Sequence, residues 1–278
     1  MKYLIQLILA IFSLLLFESC TESTSLIPDD DLVVVWGFVH AGKPITEIKL
    51  TGTLPLDADS SSIFPPINNA TVIVSVNETQ YVCDASLETD GYYQYLDTNL
   101  NIEPGDSIHL WIEWEDQIIQ SESFVPEPPT GLNPNSNTFE IPDFEDRESF
   151  MEWRESENRD ININWESESD NEWFYVTLES TENNPTPIDM GAKLEHLRTK
   201  MIFPPIQGSS FILRLPMLEF LGWHEVRVYS VNQEYVDLYE SREQDSRDLN
   251  EPLSNIEGGL GIFSAFNSVA VNLNIVQN

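Results

Sequence analysis

Beyond residue 31 the chain alternates apolar and polar positions with a period of two. Ile108, Leu110, Ile112 and Trp114 alternate with His109, Trp111, Glu113 and Glu115, the pattern of a half-buried strand. Val72, Val74 and Val76 repeat it before an Asn77-Glu78 turn leading into Tyr81 and Val82. The run Leu32 to Val39 is continuously apolar, long enough for a central strand and too short for a buried helix. Pro104-Gly105-Asp106 predicts a turn into a strand over 107–115, and Asp116-Gln117 turns the chain into a further strand through Val125. About seven short strands with turns between them predict a sandwich.

The segment Val125-Pro126-Glu127-Pro128-Pro129-Thr130-Gly131 interrupts this pattern. Proline removes a backbone donor and restricts the residue before it, so this is the expected linker. Alternation resumes at Ile161, Ile163 and Trp165, at Trp173 to Leu178, at Phe211, Leu213 and Leu215, and at Val226 and Val228. Val231, Tyr235, Leu238 and Tyr239 change the period to that of a short amphipathic helix, near 231–241. Val269, Val271, Leu273 and Ile275 close the chain as a strand. The expected architecture is mainly β: two sandwich-like domains of immunoglobulin or transthyretin type, over 31–127 and 128–278, with one short helix in the second.

The N-terminus carries a different signal. Lys2 precedes a 14-residue apolar run, Leu4 to Phe17, interrupted only by Gln6 and Ser13 and ended by Glu18-Ser19-Cys20. This is the layout of a secretory signal peptide over 1–19; a membrane-spanning helix needs roughly 20 apolar residues. A cysteine just after the run, with small Ser19 before it, points to bacterial lipoprotein processing. Cys20 is then the lipid attachment site, and residues 20–30 form a lipidated tether. Several acyl chains, at about 0.8 kcal/mol per buried methylene, make such an anchor permanent. Phe17 stands where leucine is usual and Glu18 is uncommon at its position. The only other cysteine is Cys83, so a lipidated Cys20 leaves no intramolecular disulfide. Cys83, within Gln80-Tyr81-Val82-Cys83, reads as a small core residue.

Charge narrows the partners. Among 278 residues, 13 are Lys or Arg and 47 are Asp or Glu, for a net charge of -34. Nucleic acid, whose phosphates are displaced from counterions by Lys and Arg, is excluded as a partner, and adsorption to an anionic membrane by charge alone is disfavoured. With 41% hydrophobic residues the chain has material for a core. The stretch Phe139 to Trp173 holds 13 acidic residues and three arginines; it reads as a solvated loop or short helix, or else as a surface for cations.

Catalytic templates do not fit. His40, His109, His196 and His224 are scattered, none at metal-ligand helical spacing. No serine sits in a nucleophile elbow, and no glycine-rich loop precedes a Lys-Ser or Lys-Thr pair. Gly258-Gly259-Leu260-Gly261 reads as a turn requiring positive φ. Asp57-Ala58-Asp59-Ser60 opens like a calcium loop, but Ser62 and Asn68 stand where Gly and a bidentate Glu belong. No catalytic, metal or cofactor residue is assigned, and a non-enzymatic protein is expected. Trp111, on the strand face opposite Ile108 and Leu110, is the one candidate ligand-facing aromatic.

Several blocks together resemble a family of Bacteroidota envelope lipoproteins, domain of unknown function 4249. The most specific runs from Asn250-Glu251-Pro252-Leu253-Ser254-Asn255-Ile256 through Glu257-Gly258-Gly259-Leu260-Gly261-Ile262-Phe263. Val226 to Tyr235 is similar to the family's strand entering a Tyr-bearing helix, and Asp170-Asn171-Glu172-Trp173-Phe174-Tyr175 to a strand start. Val34 to Val39, Asn69-Ala70-Thr71-Val72, Asp90-Gly91-Tyr92-Tyr93, Pro104-Gly105 and Val125-Pro126 follow in family order. The resemblance implies two β-sandwich modules on a lipid anchor, commonly associated with TonB-dependent outer-membrane transporters, and supplies no catalytic residue. The expected role is therefore an outer-membrane lipoprotein, surface-facing or periplasmic, held in the bilayer through Cys20 and serving as accessory subunit of a transporter for a nutrient or metal complex. A glycan-binding or adhesive module using Trp111, and a structural envelope protein, are the alternatives.

Overall fold

Residues with alternating inward and outward side chains build the first part as a rolled sheet. The computed structural model describes residues 32–277 apart from 55–57, 60, 143–147, 149–150, 154–159, 168, 170, 189–196, 215–216 and 244–253. The signal segment, Cys20 and the tether, His196, parts of the calcium-like loop and of the acidic stretch, and Asn250–Leu253 thus lie outside the described residues. Strands β1 (Val34–His40), β2 (Ile45–Thr51), β3 (Thr71–Val76), β4 (Thr79–Ala85), β5 (Tyr92–Tyr95), β6 (Ser107–Trp114) and β7 (Gln117–Phe124) follow the expected spacing. They pair in the order β1-β2-β5-β4-β3-β6-β7, every pair antiparallel. The link between β4 and β5 is short, with only Asp84 and Ala85 paired to Gln94 and Tyr93. The strands enclose one core: Val35, Ile48, Leu50, Val72, Val74, Ile108, Leu110, Ile112 and Ile119 are all buried. Cys83 belongs to the same core, and burial, aided by the neighbouring Asp84 charge, pushes its thiol up to about 12.

After the proline-rich crossing, a second core forms between two layers. The three-stranded sheet β15 (Ser210–Arg214), β10 (Asp160–Glu166), β8 (Thr130–Pro134) covers β11 (Trp173–Ser180), β16 (Phe220–Val231) and the last strand, β17 (Leu260–Gln277). Short strands extend that second layer: β9 (Thr138–Ile141) on β17, β12 (Thr186–Pro187) on β16, and β13 (Lys200–Ile202) and β14 (Ile206–Gln207) on β11. Ile161, Ile163, Trp165 and Leu213 from one layer meet Phe174, Val176, Leu178, Val226 and Val228 from the other. The molecule is mainly β and sandwich-like, as its period of two predicts. Among the described residues no helix is long and apolar enough to cross a membrane.

Two features depart from the sequence expectation. The C-terminal strand begins well before Val269: β17 runs unbroken from Leu260 to Gln277. Its first part pairs in parallel with β1, from Val34–Leu260 to His40–Phe266, and its second part pairs antiparallel with β16. One strand face therefore contributes Phe263 and Ala265 to the first core, and Leu273 and Ile275 to the second. The helix α1 spans Gln233–Glu243, because Val231 is still the buried end of β16. Val236, absent from the predicted stripe, is its most deeply buried residue at 1% exposure.

Helix α1 covers the outer face of β11, β16 and β17. There Tyr175 and Tyr229 stack at 4.4 Å between centroids, with Tyr235 of the helix 5.2 Å from Tyr175 and 5.1 Å from Phe266. The helix entry also ties β7 to β17. Asn232 Nδ2 donates to the Phe124 carbonyl at 2.7 Å, and Glu234 Oε1 accepts from Ser123 Oγ at 2.7 Å and Ser264 Oγ at 3.0 Å.

Candidate functional site

The face of β3, β4, β6 and β7 that turns away from the first core carries a cleft of about 640 Å³. Strand register builds its floor in two cross-strand rows. Val82, Ile73, Trp111 and Gln120 form one; Gln80, Ser75, His109 and Glu122 form the other. Pleating sends these side chains outward because Ile108, Leu110 and Ile112 point inward. The cleft is bordered by the segment 255–257, which lies along β7. Gln120 and Glu257 exchange backbone hydrogen bonds at 3.0 and 2.8 Å, and Ser121 Oγ donates to the Asn255 carbonyl at 2.7 Å.

Trp111 therefore sits where the sequence places it, half-buried in a groove among amide, hydroxyl and carboxylate side chains. Its groove partners Gln80, Gln120 and Glu257 come from three separate segments, and no spacing in the sequence links them. An aromatic face framed by hydrogen-bonding groups suits a ligand with one apolar and several polar surfaces, and the volume falls in the usual range of roughly 300–1,000 Å³ for small-molecule sites.

His109 and Glu122 of the groove are in contact with Ser107 beside it. Ser107 Oγ lies 2.9 Å from His109 Nε2 and 3.0 Å from Glu122 Oε1, while His109 Nε2 is 3.4 Å from the same carboxylate oxygen. A nucleophilic relay places the acid on the imidazole nitrogen remote from the hydroxyl, where it orients and charges the base. Here serine and glutamate share one nitrogen, so the three groups satisfy each other at an exposed strand end.

The other histidines are elsewhere. His40 lies 3.6 Å from Glu47 and stacks on Phe266 at 5.2 Å; hydrogen bonding to His40 is the main influence holding the Glu47 carboxyl below its ordinary range. His224 is 3% exposed, with Nδ1 3.0 Å from the Gly222 carbonyl, and burial lowers its pKa. Burial, then the neighbouring tyrosines, raises the Tyr175 hydroxyl far above the usual phenol range. Asp59 accepts hydrogen bonds from the backbone N–H and hydroxyl of Ser61 at 2.9 and 2.5 Å, a local turn. Among the described residues no group of three or more His, Cys, Asp or Glu is placed to hold a metal ion.

The glycine-rich turn has its own geometry. Gly258 and Gly261 have φ of 77° and 110°, as the sequence predicts. A Cβ on Gly261 would fall on the Val35 carbonyl oxygen, so this residue sets how closely β17 approaches β1.

Residues 20–270 match the family described as domain of unknown function (DUF4249). No curated protein matches the chain. Among solved structures, similarity extends to the FN1–FN3 domains of chicken CNTN1, at 11% identity over 89% of this chain and 68% of that one, with a TM-score of 0.26. CBD12 from CALX1.2 is similar at 9% identity over 86% of this chain and 100% of that one, with a TM-score of 0.18.

Proposed function

The chain belongs to the DUF4249 family, and from that premise we propose that it is a lipid-anchored, non-enzymatic binding subunit of the outer membrane, accessory to a TonB-dependent transporter of a nutrient or metal complex. The observation that carries the reading is the groove around Trp111, a recess suited to holding a ligand and equipped with no relay for chemistry. Its border segment leads into Leu260, whose N–H donates to the Val33 carbonyl at 2.9 Å, so the groove's rim joins the point where the folded body begins. Confinement to two dimensions raises the effective concentration of such a subunit at a membrane partner. The net charge of -34 opposes self-association, and its field fades beyond about 8 Å at physiological salt. The test is purification from the native envelope in mild detergent through a C-terminal tag. Stoichiometric recovery of a large barrel protein supports the reading; clean recovery of a monomer at native expression overturns it.

Trp111 favours one second reading, a surface glycan-binding module in which the indole stacks on a sugar ring and Gln80, Gln120 and Glu257 bond its hydroxyls. A glycan array separates the two: reproducible binding lost in Trp111→Ala selects this reading, and a blank array removes it.

A further inference from the structure

We propose that a second cleft, beside the proline-rich crossing, binds a small organic ammonium ion. The cleft has a volume of about 330 Å³; the carboxylates Glu127, Glu166 and Glu172 stand around it, Phe174 and Ser230 line its inner side, and its lining holds no Lys, Arg or His. The proposal is independent of the Trp111 groove and of any transporter.

Backbone features put each acid in place. Glu127 lies between Pro126 and Pro128, whose rings fix the chain direction. Glu166 ends β10 opposite Thr130, just after the register of that pair shifts between Asn164 and Glu166; an irregularity of this kind re-aims side chains. Its carboxylate then passes over Gly131, which has φ of 63° and no side chain; a Cβ there would lie 3.3 Å from Glu166 Cγ and Cδ. The third acid, Glu172, accepts a hydrogen bond from Ser167 Oγ at 2.6 Å.

Acidity alone does not mark a site; a buried polar group beside it does. Ser230 sits opposite Phe174 on the paired strands and lines the cleft at 6% exposure, and its Oγ has no hydrogen-bond partner. Buried polar groups in folded proteins are nearly always paired. An unpaired hydroxyl oxygen on a cleft wall marks the place where a ligand's donor completes the set.

The carboxylates select the class of ligand. A metal needs its oxygens within about 2.0–2.6 Å of one point, and no described trio of acidic side chains meets that requirement. An ammonium group carries three donors, reaches acceptors at about 2.7–3.2 Å, and lets acids on different walls share it. Ser230 Oγ supplies a further acceptor, and the alkyl part lies toward Phe174. The volume, near the lower end of small-molecule sites, limits the ligand to a short chain.

The experiment is isothermal calorimetry on the full chain in mild detergent, with putrescine as probe and 1-butanol as its uncharged control. Saturable putrescine heat with none from butanol is expected. Glu127→Gln and Glu166→Gln should each weaken binding at least tenfold, and Ser230→Ala severalfold. The pair Glu88→Gln and Glu113→Gln, both exposed and outside the lining of either cleft, should leave affinity unchanged. No saturable heat from wild type, equal weakening by the control pair, or full affinity in both Glu127→Gln and Glu166→Gln overturns the proposal. Glu127 is exposed, so its variant keeps the fold and decides the point even where Ser230→Ala does not.

Discussion

The side-chain amide of Asn255 brackets the backbone of Phe263: Oδ1 accepts from the Phe263 N–H at 3.0 Å, and Nδ2 donates to the Phe263 carbonyl at 2.6 Å. The amide thus stands in for a neighbouring strand on the side of β17 away from β1. The 255–257 segment is held against β7 by the Gln120–Glu257 backbone pair and by Ser121, and Ile256 lies in the first core at 7% exposure. The described part of the block that carries the family resemblance, 254–263, packs onto the first core.

Asn255→Ala removes both partners from Phe263 at once. At about 1–3 kcal/mol for each buried group left unpaired, the loss should total about 2–6 kcal/mol. Urea unfolding followed by tryptophan fluorescence measures it. Asn255→Asp keeps the acceptor alone and should fall between; an alanine variant as stable as wild type removes the clamp.

Gly261→Ala should cost about 3 kcal/mol or more, since it combines a positive φ with a clash against the Val35 carbonyl. The expected outcome is loss of the cooperative thermal transition. Gly105→Ala, at φ of 83° with open space around it, bears only the conformational strain and should retain the transition at a lower temperature.

Burial lowers the His224 pKa below its ordinary value of 6.5. The unfolded chain then binds the proton more readily than the fold, so unfolding free energy rises with pH through this window and is lost as pH falls below about 6.5. Glu47, whose folded pKa is also depressed, withdraws its contribution at lower pH, below the ordinary carboxylate value. The urea midpoint should decline between about pH 7 and 5, and His224→Gln should flatten that slope. An unchanged slope in the variant assigns the decline to other groups.

With its thiol pushed up to about 12 in the first core, Cys83 should not react with maleimide in the native protein at neutral pH, because the thiolate is the reactive form. Denaturation should expose it. If Cys20 carries lipid, the denatured protein takes up one label per chain; two labels would show a free Cys20, and rapid native labelling would contradict the burial of Cys83.

The period of two in Ile108 to Trp114 determines that a strand forms there and which side of it is apolar, because successive side chains of an extended chain point to opposite faces. For the same reason the sequence placed Trp111 outward, and Gly258 and Gly261 in a turn needing positive φ. It does not name a strand's neighbour: pairing depends on long-range closure, and Val34 meets Leu260 across almost the whole chain. The alternation at Val269 to Ile275 marks only the last part of β17, since polar Asn267 and Ser268 find their partners in three dimensions: Arg227 donates to Ser268 Oγ at 3.2 Å and Asn267 Nδ2 to the Pro126 carbonyl at 3.1 Å. Val231 fits the helical stripe by spacing, yet its place in β16 buries it as a strand residue. The two clefts lay beyond the sequence altogether. Each gathers side chains from segments far apart, and local periodicity records only which face a residue takes, whereas the folded sheet decides which faces meet.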